Sequence, residues 1–354
     1  MEFNSLEEML KLTAPGTEIR KGLDRIVSQE SGALILLAKD ENYCYVVSSG
    51  LWLDVIITGQ LIAELAKMDG ALVLDTARNR ILYANAYLEA DTSIPTDETG
   101  TRHKTADRIA KQLNNPVIAV SEERADITLY YSEGNYQLRD PSDLKVEVNQ
   151  ALLVVDQYKK GIADDLSELT TLELEGRVMP KHLANIFGKI VRMYKMKENV
   201  SRLMIELGNK REMAEMQVDD LMSGIERELE LLIRDYSLVD KDTEDIKKKL
   251  LSFSIEDLKS TDTVMEPLMD GKTSDDNYLS PGGFRLLHKL PQLPTPVIEG
   301  VVDRFEGIEN LLKADQKELE AVKGIAQERA ETIKSGLSRM KEGTTDLEEL
   351  GEED

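Results

Sequence analysis

A run of hydroxyl-bearing and basic side chains opens one predicted helix. It follows Gly100, and apolar residues then recur at i, i+3, i+4 and i+7 from Ala106 to Leu113, which is helical spacing. Unpaired N–H groups and the positive dipole end at a helix start favour a phosphate group. A guanidinium fork and an ammonium would strengthen that preference, so the run is a candidate phosphate-binding site. Its members are Thr101, Arg102, His103, Lys104 and Thr105.

A simpler interpretation of this run is an N-capped surface helix with solvated charges. Such clusters are common near helix starts, so the residues alone leave both interpretations open.

A second polar element, Asp69-Gly70-Ala71, lies between a predicted helix and a predicted strand. An ordinary turn accounts for an Asp-Gly pair. A functional role needs a partner, and the run at 101–105 is the candidate for it. If a nucleotide bound there, Asp69 could hold a divalent metal ion or a ribose hydroxyl.

The composition restricts the class of protein. At 354 residues, two or three domains are expected, and no apolar run is long enough to span a membrane. The N-terminus lacks the pattern of a secretion signal, and Cys44 is the only cysteine, which favours a reducing cytoplasm. The formal net charge of −23 argues against a generic polyanion-binding surface, so any nucleic-acid contact must be local.

Residues 1–142 are predicted to form an α/β domain. A helix is expected over 6–29, followed by strands at 33–37 and 44–47. The segments 71–74 and 81–84 form a predicted hairpin, and 117–120 and 127–130 complete a mixed sheet with helices on both faces. The start of the predicted helix at 101 would be positioned by this sheet.

Three further regions follow. Residues 143–285 show helical stripes and predict a helical linker bundle or spine. Residues 286–341 contain two short helix–turn–helix units about thirty residues apart, with turns at 290–294 and 323–326. Residues 342–354 carry only acidic charges and are predicted to be a disordered tail.

The paired turns have a physical use. A tight turn between two short helices exposes backbone N–H groups, and two such units can grip nucleic-acid phosphates without reading bases. A plain helical packing domain is the alternative. Positive and negative residues balance over 286–341, so binding would be modest and involve few phosphates.

These motifs together resemble the DisA family of DNA-integrity scanning diadenylate cyclases, over nearly the whole chain. Asp69-Gly70-Ala71 resembles the family's DGA motif, and the segment 94–106 resembles the one that contains its RHR motif. The C-terminal repeat is similar to its tandem helix–hairpin–helix module, with the helical spine between.

The resemblance implies an activity: two ATP molecules condense to cyclic di-AMP and two pyrophosphates, with Mg²⁺ or Mn²⁺. It further implies one ATP per cyclase domain, two domains face to face within an octamer, and control by branched DNA, which lowers synthesis. A cytoplasmic, nucleoid-associated protein is expected. Asp69, Arg102 and His103 would be catalytic, and Asp69 would also contact the metal.

The resemblance also implies binding residues. The ATP contacts would be Gly70, Ala71, Leu88, Thr101, Arg102, His103, Lys104, Thr105 and Ser121. The DNA contacts would be Leu293, Thr295, Lys323, Gly324, Ile325 and Ala326.

The chain departs from the family pattern at three places. Lys104 replaces the second arginine of RHR, and Glu122 and Glu123 stand where the family usually carries arginines. The first hairpin has prolines and no glycine, while the second has Ala326 in place of a second glycine. Lys104 and the Glu122/Glu123 pair keep a second hypothesis open, a non-catalytic DNA-structure-binding scaffold with a relic nucleotide domain.

Overall fold

The computed structural model describes residues 6–208, 211–239, 241–269 and 278–349. It divides into two compact units: Met1–Gln150 with Val200–Met216, and Ala151–Asn199 with Gln217–Asp354. The first unit contains the sheet and the second is helical.

The first unit is built on a seven-stranded mixed sheet. Its order is β2-β4-β3-β1-β5-β6-β7. The β1–β3 pair is parallel and the other neighbouring pairs are antiparallel. The strands are β1 (Ala33–Ala38), β2 (Val47–Ile56), β3 (Ala71–Asp75), β4 (Arg80–Leu88), β5 (Val117–Val120), β6 (Ile127–Tyr131) and β7 (Gly134–Leu138).

Helices cover both faces of this sheet, as predicted. Alternate residues of β1 point to opposite faces, so Ile35 packs in one apolar core and Leu36 in the other. The first core includes residues of α1, α2 and α3, and the second includes residues of α4. The bounds are α1 (Leu6–Thr13), α2 (Glu18–Ser28), α3 (Gly59–Leu65) and α4 (Thr101–Leu113).

The local predictions in this unit need two corrections. The helix expected over 6–29 is two helices, because the chain turns at Pro15-Gly16, where Gly16 has φ +102°. The strand expected at 44–47 is wrong: Glu41–Tyr45 form a 3₁₀ helix, and the strand begins at Val47. β2 and β7, the two outermost strands, were not predicted.

The topology brings several chain segments to one edge of the sheet. β1 and β3 are parallel and therefore start at the same edge, just after Gly32 and Gly70. Ala33 pairs with Val120, so antiparallel β5 ends there. Helix α4 leads directly into β5 and returns antiparallel to it, which places its first turn at that edge. The predicted polar elements thus converge.

Helices follow the sheet. Those before the C-terminal repeat are α5 (Pro141–Glu175), α6 (Pro180–Leu207), α7 (Glu212–Met222), α8 (Ile225–Tyr236), α9 (Thr243–Ser252) and α10 (Thr261–Met269). In the second unit, α5, α6, α8, α9 and α10 share one apolar core, which includes Phe187 and Leu232, both fully buried. The predicted helical bundle is confirmed.

A second core in this unit lies among the five C-terminal helices. These are α11 (Phe284–His288), α12 (Thr295–Phe305), α13 (Ile308–Lys313), α14 (Gln316–Glu320) and α15 (Gln327–Glu349). The two predicted helix–hairpin–helix units correspond to α11–α12 and α14–α15. The prediction of disorder from residue 342 is wrong as far as Glu349, because α15 continues to that residue. Residues 350–354 lie outside the described residues.

Within the described ranges, no helix combines the length and apolar character required to cross a bilayer.

Candidate functional site

A cleft of about 890 Å³ opens at the edge of the sheet where these chain segments meet. That volume is in the range of small-molecule sites. The lining residues come from the turn before β3, the start of α4 and the loop after β5. They are Asp69, Thr99, Gly100, Thr101, Arg102, His103, Val120, Ser121, Glu122, Glu123 and Arg124.

The cleft therefore brings together Asp69 and three of the five residues of the predicted phosphate-binding run. Thr101, Arg102, His103 and the predicted Ser121 also line it. The other predicted ATP contacts lie behind or beside these residues. Lys104 is exposed on α4, Thr105 is half-buried, Ala71 is buried in β3 and Gly70 precedes it. Leu88 is 7% exposed and packs in the core that α4 covers, so its contact with a nucleotide stays a prediction.

The start of α4 has the features that favour a phosphate. Gly100, the N-cap residue, has φ +80°, a left-handed conformation that suits glycine. Within the described chain, no side chain caps this helix, and its first backbone-paired N–H is that of Lys104, which donates to Gly100 O at 3.1 Å. The N–H groups of the first turn can therefore bind an anion.

The turn that carries Asp69 is fixed by its neighbour strand. Gly70 N–H donates to Asn85 Oδ1 at 3.0 Å. A Cβ at Gly70 would stand 2.4 Å from the backbone carbon of Asn85, so only glycine fits this close approach. Asp69 is thereby held at the exposed rim of the cleft by backbone packing.

Arg102 depends on a second close approach that the sequence did not reveal. A Cβ at buried Gly32 would stand 2.2 Å from Arg102 Nη1 and 2.8 Å from Cζ. The guanidinium thus lies directly against the start of β1. Its Nη1 is 3.5 Å from Glu122 Oε2, an exposed ion pair of small energetic weight.

We expect Gly32→Ala to displace the Arg102 guanidinium and weaken ATP binding by about 10- to 100-fold, the value of one charge-assisted phosphate contact. The melting temperature should change little, because the crowded group is the end of a flexible side chain. Isothermal titration with ATP measures the affinity. Gly161→Ala is the matched control, since its Cβ would meet only ordinary contacts at 3.5 Å or more. Unchanged ATP affinity in Gly32→Ala would contradict the contact.

His103 is held from behind by a tyrosine. Its Nδ1 is 2.8 Å from the hydroxyl of Tyr130 on β6, and both residues are buried. Burial raises the pKa of Tyr130, and a hydrogen bond with Glu98 raises it further. Tyr130 therefore stays protonated at neutral pH. The sequence analysis did not single out Tyr130 or Glu98, although Glu98 lies in the motif segment 94–106.

The loop after β5 also lines the cleft. Ser121 Oγ accepts the N–H of Arg124 at 3.2 Å, and Ser121 N–H donates to Asp126 O at 2.9 Å. Glu122 and Glu123 are exposed and line the cleft, so two carboxylates stand where a basic wall was expected from the family pattern.

The side chains of the cleft could hold a magnesium-type ion only together with oxygen atoms of a bound substrate. Within the described residues, no group of three or more His, Cys, Asp or Glu side chains is placed to hold a metal ion. Mg²⁺ commonly binds through one or two carboxylates together with substrate phosphates and water. Asp69 fits that requirement, with the triphosphate supplying further oxygen ligands.

The predicted DNA contacts lie on the two hairpins of the C-terminal helices. Thr295, Lys323, Gly324 and Ala326 are exposed and Leu293 is half-buried. Ile325 is 6% exposed and its N–H already donates to Val322 O at 3.1 Å.

Each hairpin contains a residue with a positive φ angle. Gly324 has φ +91°, and Gln292 has φ +64° in the first hairpin, which lacks a glycine. The first turn therefore adopts the left-handed conformation without the residue that favours it.

This fold and site define a nucleotide-binding-type α/β domain joined to a helical region. Residues 20–135 match the DisA bacterial checkpoint controller nucleotide-binding (DAC) family model, and 138–275 match the DisA linker-region model. The chain is 36% identical to DNA integrity scanning protein DisA of Acidothermus cellulolyticus, covering 96% of this chain and 94% of that protein. Its identity to DisA of Clostridium perfringens is 38%, covering 96% of each. The chain belongs to the DisA family, which confirms the resemblance.

A solved structure of DacA from Staphylococcus aureus is 24% identical, with a TM-score of 0.31 over 38% of this chain and 89% of that one.

Proposed function

We propose that this protein is a diadenylate cyclase, which condenses two ATP molecules into cyclic di-AMP and two pyrophosphates. The observation that carries the proposal is that Asp69 and Arg102, 33 residues apart in sequence, line one cleft of suitable volume. Membership of the DisA family supports the same activity.

The residues of the cleft divide the chemistry between them. The first turn of α4, with Thr101 and Arg102, would bind the triphosphate, and His103 and Arg102 would stabilise charge on the departing pyrophosphate. Asp69 would lie near the 3′-hydroxyl and help to activate it as the nucleophile. That hydroxyl attacks the α-phosphate of a second nucleotide, in line with its leaving pyrophosphate.

A divalent ion, Mg²⁺ or Mn²⁺, belongs to this proposal. Asp69 would hold it together with phosphate oxygens. When bound, such an ion neutralises charge on the phosphates and on the leaving group.

One cyclase domain supplies one ATP, so two must meet face to face to provide both reactants. We therefore propose a homo-oligomer, an octamer in the family pattern. Light scattering measures the mass in solution, and an exclusively monomeric protein that still makes cyclic di-AMP would contradict the face-to-face site.

The test of the activity is direct. Purified protein is incubated with ATP and Mn²⁺, with and without a four-way DNA junction, and the product is identified by mass. We expect cyclic di-AMP, and less of it when the junction is bound. The proposed coupling requires that DNA bound at the hairpins changes the relation between facing cyclase domains. In the cell the protein would be cytoplasmic and nucleoid-associated.

The hairpins are proposed as the DNA site. Lys323→Ala should weaken junction binding roughly tenfold, and should reduce the slope of log affinity against log salt by about 1. Fluorescence anisotropy at several salt concentrations measures both quantities. Lys248→Ala on α9, also exposed, is the control and should bind as the wild type does. An unchanged salt slope in Lys323→Ala would exclude a phosphate contact at this residue.

The second candidate is a non-catalytic DNA-structure-binding scaffold with a relic nucleotide domain. The observation that favours it is the ion pair of Arg102 with Glu122, which competes with phosphate for the guanidinium. The exposed Lys104 also lacks the arginine fork of the family motif. Absence of product with any divalent metal, together with intact junction binding, would establish the scaffold.

A further inference from the structure

Three residues from separate elements meet behind the cleft. Glu98 lies in the loop before α4, Tyr130 in β6 and His103 on α4. Tyr130 is 1% exposed, its hydroxyl lies 2.8 Å from His103 Nδ1, and a hydrogen bond with Glu98 contributes to its raised pKa. Glu98 is half-buried, and its Oε1 accepts from Asn135 Nδ2 at 3.2 Å, which fixes the carboxylate.

The direction of the two hydrogen bonds follows from the number of protons. An ionised carboxylate can only accept, so the single hydroxyl proton of Tyr130 is donated to Glu98. The hydroxyl oxygen is then left to accept a proton from His103 Nδ1. Nδ1 of His103 therefore carries a hydrogen, and Nε2 is the ring nitrogen left for the cleft that His103 lines.

We infer that Tyr130 and Glu98 are positioning residues for His103: through this chain they fix its ring and direct Nε2 to the triphosphate. The inference rests on the proposed cyclase activity, in which His103 contacts the departing pyrophosphate. When the ring is positively charged, both nitrogens donate, Nδ1 to Tyr130 and Nε2 to a phosphate oxygen.

Two other charged residues act on the pKa of Tyr130. Asp107, on α4 itself, adds to the effect of Glu98 on Tyr130, and Arg124, from the loop after β5, opposes it. Asp107 already pairs with Lys111 at 2.8 Å, and Arg124 pairs with Asp126 at 3.3 Å. Glu98 is thus the carboxylate that the tyrosine can use.

The kinetic test removes the hydroxyl group of Tyr130. Tyr130→Phe should lower kcat for cyclic di-AMP formation by about 10- to 100-fold, with KM for ATP within about threefold of wild type. Tyr131→Phe is the matched control, because its ring packs on the other face of the sheet. A kcat of Tyr130→Phe within twofold of wild type, or an effect on KM alone, would overturn the inference.

Glu98 variants separate hydrogen bonding from bulk. Glu98→Gln retains an oxygen that can accept from Tyr130, so it should keep more activity than Glu98→Ala. Equal loss in the two variants would show that acceptance by residue 98 does not matter.

A spectroscopic readout makes the inference independent of turnover. The chain has three histidines, so ¹⁵N-histidine labelling gives few signals, and His103→Gln identifies those of His103. We expect magic-angle-spinning spectra to show hydrogen on Nδ1 of His103, and that fraction to fall in Tyr130→Phe. Hydrogen on Nε2 alone in the wild type would overturn the inference. If the wild type makes no cyclic di-AMP, the proposed function fails. These spectra alone then decide whether Tyr130 and Glu98 position His103.

Discussion

Asp69→Asn is expected to lower cyclic di-AMP formation by roughly 10²- to 10⁴-fold, the range for loss of a general base or its equivalent. The asparagine side chain has nearly the same shape but can neither take a proton from the 3′-hydroxyl nor supply an anionic metal ligand. ATP binding should largely survive, because the proposed triphosphate contacts lie at the start of α4 and not at Asp69. Product is measured by mass, and ATP affinity by calorimetry.

The fold should tolerate this substitution. Asp69 is exposed, and the turn is fixed by Gly70 against Asn85 and not by the carboxylate. Asp75→Asn is the matched control at the other end of β3. There a carboxylate oxygen accepts the N–H of Arg78 at 2.9 Å, which an amide oxygen can also do. The control should therefore retain activity.

Full activity in Asp69→Asn would contradict the role of Asp69. Loss of ATP binding together with activity would instead indicate that Asp69 contributes to ground-state binding, through the metal and phosphates. The two outcomes are distinguishable because affinity and turnover are measured separately.

Part of this fold was predictable because central strands are buried on both faces. β1, β3, β5 and β6 are short apolar runs bounded by turns, and all four were predicted. The outermost β2 and β7 lack that signal: every residue of β2 is exposed or half-buried, so its pairing depends on β4. An edge strand of this kind is specified by its pairing with the adjacent strand and not by an apolar pattern in its own sequence.

The site shows the same division. Asp69 and the 101–105 run could be proposed from the sequence because each is a compact motif whose residue types suit phosphate and metal chemistry, and Asp69, Thr101, Arg102 and His103 do line one cleft. Gly32 and Tyr130 carry no such signal. Gly32 matters because Arg102, seventy residues later, occupies the space that a side chain would take, and Tyr130 lies in an apolar strand. Contacts of this kind appear only once the strand order is known.

A further pair, in the helical unit, was also invisible to sequence periodicity. Arg285 on α11 and Glu173 on α5 are separated by 112 positions, and both side chains are 0% exposed. The guanidinium also donates to Thr170 Oγ1 at 3.0 Å, and Tyr236 donates its hydroxyl to Glu173 Oε1 at 2.8 Å. Helical patterning would assign both charges to a solvated face.

We expect Arg285→Met to destabilise this unit by about 3–5 kcal/mol, because the Glu173 carboxylate would remain buried without its partner. Each kcal/mol corresponds to a fall of about 2–4 °C in the melting temperature of a unit of this size. Urea unfolding followed by circular dichroism measures the free energy. Arg304→Met, an exposed arginine on α12, is the control and should change stability little.

The double variant Glu173→Met with Arg285→Met decides what causes the loss of stability in Arg285→Met. The double variant should be more stable than Arg285→Met alone, since it buries no unpaired charge, although Tyr236 loses its acceptor. If the double variant is instead the less stable of the two, lost packing and not the stranded carboxylate explains the effect. The pair would then fasten α11 to α5 chiefly by filling space. If the expected order holds, the ion pair makes α11, the first of the five C-terminal helices, dependent on α5 through charge.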